Sequence, residues 1–169
     1  MNIPNLISIT RTIFTIPVFI LTIYEMYLPA LILFAIASVS DFFDGYIARK
    51  LNQVTDLGKF LDQISDKIIV NAVFIALMQI NLVPGWFVVV LITRDTFVSG
   101  VRMFLASKNV VVAADKLGKL KTALQMVLIL LLYFNGIVSI DLIGNINYVL
   151  IYLVAIVSVI SGINYFTKN

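Results

Sequence analysis

An all-helical fold threaded through a membrane is what this sequence predicts, and three observations carry it. Of its 169 residues, 61% are hydrophobic and mean hydropathy is +1.05. Charged residues make up only 12% of the chain, too few to clothe a water-soluble surface of this size. The apolar residues fall into six runs separated by short polar turns, and a helical crossing takes about 20 residues. A single domain over residues 1–169 is expected. It leaves no room for a soluble catalytic domain, so any chemistry falls to the helices themselves. The chain has no cysteine, which removes disulfides and thiol catalysis. No internal repeat or low-complexity segment is present, and no nucleic-acid partner is expected.

Residues 1–6 hold Pro4 and no charged side chain, and read as an interfacial lead-in. No basic segment precedes the first apolar run, so a cleaved signal peptide is not expected. The first span covers about 7–27, with Arg11 early enough in it to snorkel to the interface. Glu25 and Pro29 mark the first turn. A second span follows at about 31–50 and a third at about 57–80, then a tight turn at 81–85. The fourth, about 86–107, is interrupted by Arg94, Asp95 and Arg102. The basic stretch KNVVVAADKLGKLK at 108–121 connects it to a fifth span, about 122–137. Asp141 and Gly144 then turn the chain into a sixth, about 147–166.

Charge orients this bundle. Lysine and arginine gather in cytoplasmic loops. With the 50–57 turn placed inside, all 12 Lys and Arg lie on or near the cytoplasmic half, and the turns near 25–30, 81–85 and 138–146 hold none. Both termini are therefore expected in the cytoplasm, with the polar cavity in the cytoplasmic half of a cell membrane.

That cavity is predicted from residues 41–66, DFFDGYIARKLNQVTDLGKFLDQISD. Five of the chain's nine acidic residues lie here, and Asp41, Asp44, Asp62 and Asp66 sit among apolar neighbours. A carboxylate in hydrocarbon costs several kcal/mol unless it is paired or metal-bound. Asp41 and Asp44 are three apart, and Gly45 and Ala48 continue their stripe. Gly58, Asp62 and Asp66 form a second stripe at intervals of four. A short polar turn between two antiparallel helices brings the stripes to one depth, at roughly 8–15 Å from the turn by helical rise. Gly45 and Gly58 leave room for close packing or a ligand. Four crowded carboxylates repel one another, and some stay protonated unless cations neutralise them. Without Cys or His the ligation is all oxygen, which points to Mg²⁺, Mn²⁺ or Ca²⁺. Two such ions would form the clamp used in displacements at phosphorus. The plainer alternative pairs these acids with Arg49, Lys50, Lys59 and Lys67 at a membrane boundary, which needs no registered stripes.

The pattern Asp41-x2-Asp44-Gly45-x2-Ala48-Arg49-x8-Gly58-x3-Asp62-x3-Asp66 resembles, position for position, the signature of the CDP-alcohol phosphotransferases. That resemblance implies an integral-membrane enzyme moving a phosphatidyl or related group from a CDP-linked donor to an alcohol, with release of CMP. It implies Asp41, Asp44 and Asp62 as metal ligands for two Mg²⁺ or Mn²⁺ ions. Asp66 is implied as a further ligand and as general base toward the acceptor. Gly45, Ala48, Arg49, Thr55 and Gly58 are implied around the CDP moiety, beside Asp41. The opening Pro4, Asn5 and Arg11 resemble a wall of the nucleotide pocket, although interfacial anchoring accounts for them equally. The family also implies a homodimer.

A second group is cationic. Arg94 and Arg102 are eight apart and share a face of the fourth helix, and Lys119 and Lys121 open the fifth. Together they suit an anionic ligand, with the arginine fork matching phosphate oxygens. Simpler roles are pairing of Arg94 with Asp95 or with an aspartate on the third helix, and attraction of the lysines to lipid headgroups. Arg94-Asp95-x3-Ser99-Gly100-Val101-Arg102, followed by Ala113-Ala114-x3-Gly118-Lys119-x-Lys121-Thr122, resembles the phosphatidylglycerophosphate synthase branch. The substrates it implies are CDP-diacylglycerol and glycerol 3-phosphate. The branch reads Asp-Pro-x-Ala-Asp-Lys where this chain has Asp62-Gln63-Ile64-Ser65-Asp66-Lys67, and Glu where it has Asp95; neither change removes a metal ligand. Other acceptors open within the family are phosphatidylglycerol, inositol phosphate and serine. Outside it, intramembrane carboxylates also serve divalent-cation transporters.

Overall fold

The computed structural model describes residues 3–50, 56–108 and 116–168, with side chains throughout except at 3–9, 41–50, 56–57, 59–63, 166 and 168. The described residues form six α-helices and no strand: α1 (Ile3–Ile23), α2 (Tyr27–Lys50), α3 (Asp56–Gln79), α4 (Gly85–Ser107), α5 (Lys116–Val138) and α6 (Asp141–Lys168). They group into two compact units, Met1–Ile80 and Asn81–Asn169.

In the first unit α1 packs against both α2 and α3. Val18, Phe34, Val73, Phe74 and Leu77 are fully or almost fully buried there. In the second unit α6 packs against α4 and α5 around Phe87, Leu91, Leu128, Ile129, Tyr133 and Val154. Three contacts fix the direction of α4 on α6: Trp86 with Tyr152, Arg94 with Ser161, and Arg102 with Tyr165. Both helices therefore run the same way. α5 runs against α6, since Asn147 Nδ2 donates to the Leu131 carbonyl near the turn (3.4 Å) and Gly118 lies by Ser161 at the far end.

The outside is as apolar as the inside. Ile13, Ile16, Ile20, Ile32, Val89 and Val149 are all exposed. Water would penalise that distribution, and lipid does not. α5 and α6 are each long and apolar enough to cross a membrane. Hydroxyls within the helices bond to the carbonyl one turn back, as Thr15 does to Arg11 (3.3 Å), Thr22 to Val18 (2.7 Å), Ser38 to Phe34 (2.8 Å) and Ser99 to Asp95 (2.5 Å). A polar group thereby sits in an apolar setting with its hydrogen bond made locally.

Four helices start earlier than the sequence expectation: α1 at Ile3 and α2 at Tyr27, each by about four residues, and α5 at Lys116 and α6 at Asp141, each by about six. Lys119 and Lys121 therefore lie within the first two turns of α5. Lys121 is held there by an ion pair with Asp95, a partner that local sequence does not reveal. α6 begins at Asp141, and Gly144 lies inside it. The reversal needs only residues 139 and 140, because Ser139 adopts φ 52° and Asn135 Oδ1 accepts the Ile140 N–H (3.1 Å). Asp141 then stands in the first turn of α6, where the exposed N–H groups favour a negative charge. Pro4 falls within the first turn of α1, a position that does not use its missing N–H. The other two tight reversals also rest on one left-handed residue each, Glu25 (φ 56°) and Asn81 (φ 60°).

These turns make a stability prediction. Ser139→Gly should raise the unfolding midpoint by relieving a left-handed β-carbon, worth about 0.5–1 kcal/mol after glycine's entropy is counted. Asn135→Ala should lower it by about 1 kcal/mol, through loss of the side-chain acceptor for Ile140. Thermal unfolding in detergent checks both, and a destabilised Ser139→Gly would show that the turn is not strained.

Candidate functional site

In the first unit the aspartates stand where the stripes require. Asp41 and Asp44 lie on α2, and Asp62 and Asp66 on α3, so the intervals of three and four are helical intervals. The side chains of Asn5, Asp41, Asp44, Gly45, Ala48, Arg49 and Asp62 fall outside those described, and Thr55 lies outside the described residues altogether. Gly58 is partly buried on α3. The described residues alone contain no cluster of three or more acidic ligands. The donor set itself suits a hard divalent cation: four carboxylates, with neither Cys nor His in the chain to compete.

Asp66 has a partner that helical spacing does not predict. Arg11 of α1 donates from Nη1 to Asp66 Oδ1. The arginine is 2% exposed, so it does not snorkel outward to an interface. The Asp66 side chain is 48% exposed, held from the buried side and open on the other. A guanidinium in an apolar helix needs an acid. The only dense acidic stretch in the chain was a signal that could have predicted this pair. Lys67, next to Asp66, is partly buried.

In the second unit the four cations are not equivalent. Lys121 is buried, and its Nζ lies 2.5 Å from both carboxylate oxygens of Asp95. Arg94 Nη1 reaches Asp95 Oδ1 at 3.1 Å, and its Nη2 donates to Ser161 Oγ at 2.5 Å. The Asp95 side chain is 5% exposed and that of Lys121 is 3% exposed. Gly162 makes space for Arg94, since a β-carbon there would come 3.3 Å from its Cγ, whereas one on Gly118 would meet its Nη2 at an ordinary 3.6 Å. The simple pairing of Arg94 with Asp95 is therefore observed, with Lys121 as a third member. Arg102, two turns further along the same face, places its guanidinium 5.7 Å from the Tyr165 ring centroid, within cation–π range. Its Nε is buried and has no hydrogen-bond partner among the described residues. Lys119 is exposed. With Asp95 cancelling one charge, the unit keeps a net positive centre around Arg94 and Arg102, suited to a multiply charged anion.

Comparison with known proteins bears on the whole chain. The sequence model for the CDP-alcohol phosphatidyltransferase family matches residues 1–160. The chain is 39% identical to a CDP-diacylglycerol–glycerol-3-phosphate 3-phosphatidyltransferase of Bacillus subtilis (strain 168), with 99% of this chain and 95% of the relative covered. A protein of the same name from Rickettsia typhi (strain ATCC VR-144 / Wilmington) is 42% identical, with 98% of this chain and 95% of the relative covered. Helices, carboxylate stripes and full-length likeness converge: this chain belongs to the CDP-alcohol phosphatidyltransferase family.

Proposed function

We propose that this protein transfers the phosphatidyl group of CDP-diacylglycerol to glycerol 3-phosphate and releases CMP, working in a bacterial plasma membrane. The observation that carries the reading is a likeness, over nearly the whole chain, to transferases named for those two substrates. The unbroken spacing of the eight signature positions supports it.

The reaction forms a bond from the acceptor hydroxyl oxygen to the phosphatidyl phosphorus. It breaks the bond from that phosphorus to the oxygen that leaves with CMP. The hydroxyl proton has to go somewhere, and Asp66 is the base assigned to take it. Arg11 grips one oxygen of that carboxylate from within, which fixes its rotamer and leaves it accessible. Asp41, Asp44 and Asp62, with Asp66 able to share, are the proposed ligands of two divalent ions, Mg²⁺ or Mn²⁺. Bound there, such ions neutralise the donor diphosphate and the charge that develops on the leaving CMP. Asn5, Gly45, Ala48, Arg49, Thr55 and Gly58 are assigned to the CDP moiety. Arg102, with the exposed Lys119, takes the acceptor phosphate; Arg94 and Lys121, already paired with Asp95, stand behind them.

The same reading extends to architecture. All six helices span the membrane as one transmembrane domain, residues 1–169. Both termini lie in the cytoplasm, and the cavity opens to it. The segregation of Lys and Arg supports this orientation. Two copies associate as a homodimer. Leu142, Val149, Ile156 and Ile163, seven apart and all exposed on α6, offer a continuous apolar stripe to lipid or to that partner.

Three measurements test the chemistry. Asp41→Asn, Asp44→Asn and Asp62→Asn should each nearly abolish turnover, as should excess chelator on the wild type; full activity in two of the variants removes the two-ion proposal. Asp66→Asn should block chemistry while CDP-diacylglycerol binding stays within about tenfold, or roughly 1.4 kcal/mol. If binding collapses together with turnover, Asp66 is chiefly a ligand. Arg102→Ala should raise the KM for glycerol 3-phosphate roughly ten- to a hundredfold, with little change for CDP-diacylglycerol, from loss of charge-assisted hydrogen bonds. Arg102→Lys should rescue only in part. A wild type that uses free glycerol or serine as well as glycerol 3-phosphate would falsify the acceptor assignment.

A further inference from the structure

Among the acids whose side chains are described, Asp95 is the least exposed, and the proposed reaction leaves it without a task. It is also the point where three helices of the second unit are tied together. Its carboxylate receives Lys121 of α5 through both oxygens and Arg94 of α4 through one. Arg94 carries the tie onward to Ser161 of α6. A buried ionic group of this kind is a poor source of stability, because desolvation offsets most of the Coulombic gain. It is directional, however, and its partners cannot slide as apolar ones can. Gly162 lets the Arg94 side chain pass closely, since a β-carbon there would press on its Cγ at 3.3 Å.

The consequence falls on Arg102. It lies eight residues beyond Arg94 on the same face of α4, and both arginines rest on α6, at Ser161–Gly162 and at Tyr165. Rotation or sliding of α4 that released Arg94 would also lift Arg102 from the Tyr165 ring. We propose that Asp95 is a positioning residue for Arg102, acting through the buried clamp with Lys121 and Arg94, and that Lys121 is the counter-ion of Asp95 and not a ligand of the acceptor phosphate. The inference rests on the assignment of the acceptor phosphate to Arg102.

The test uses purified full-length protein with CDP-diacylglycerol, glycerol 3-phosphate and Mg²⁺. Asp95→Asn strands the buried ammonium and should raise the KM for glycerol 3-phosphate by about tenfold or more, with the KM for CDP-diacylglycerol within about twofold. Asp95→Glu, which restores the carboxylate, should return the acceptor KM to within about threefold of wild type. The double variant Asp95→Asn/Lys121→Gln, in which no charge is stranded, should recover to a similar extent. It should also unfold at a higher temperature than Asp95→Asn alone, a coupling measured without substrate. If Asp95→Asn does not fold, the Glu and double variants carry the test by themselves. The proposal is overturned if Lys121→Gln and the double variant each raise the acceptor KM about tenfold, since Lys121 then touches phosphate. It is overturned equally if both substrates' KM values rise together and Glu gives no rescue, since the clamp is then merely structural. A wild type indifferent to the acceptor's phosphate is a different result: it removes the acceptor assignment, while the unfolding cycle still reports whether Asp95 and Lys121 are coupled.

Discussion

Charge inside an apolar scaffold is the constraint on which the rest of this molecule depends. Arg11, Asp95 and Lys121 are each almost completely buried, and Arg94 nearly so. None could remain ionised there alone without a cost of several kcal/mol. The fold answers by bringing opposite charges from different helices together: α1 to α3 through Arg11 and Asp66, and α4 to α5 through Asp95 and Lys121. Helix packing and site assembly are consequently the same event. In water, burial of apolar surface would drive association; among helices whose outer faces are equally apolar, directional polar contacts and close backbone approach do more of the selecting.

The two units use that constraint differently. In the first, Arg11 holds one oxygen of Asp66, and the side chain is about half exposed. In the second, the carboxylate is enclosed, both its oxygens are engaged, and the excess charge is positive. An accessible acid suits proton transfer or metal ligation. An enclosed acid among cations suits the placement of those cations for an anion. Both arrangements agree with a reaction between a diphosphate donor and a phosphorylated alcohol.

Much of this was legible in the sequence, and what was not has physical reasons. Helical stripes are local: the intervals among Asp41, Asp44, Asp62 and Asp66 are read from spacing alone, and the helices that carry them are present. Pairings across the chain are not local. Arg11 and Asp66 are 55 residues apart, and no periodicity links them. Spacing puts Lys121 at the opening of the fifth helix but does not reveal its partner, Asp95, 26 residues earlier. The left-handed turns were hidden for another reason. Glu25 and Ser139 adopt a conformation for which glycine is the usual signal, and neither residue announces it. The starts of α2 and α6 therefore lie earlier than spacing alone predicts, although the helices themselves are as expected.

The sequence distance between charge partners also bears on how the chain is made. The threonine and serine hydroxyls that bond one turn back are satisfied as soon as their own helix forms. Arg94 and Asp95 are neighbours and can neutralise each other in the same way, before any later helix exists. Arg11 has no such local acid. It emerges from the ribosome 55 residues ahead of Asp66, so this particular pairing waits until α3 is made. The tie from α1 to α3 thus depends on two helices made well apart in time, whereas the Arg94–Asp95 pair is complete within one.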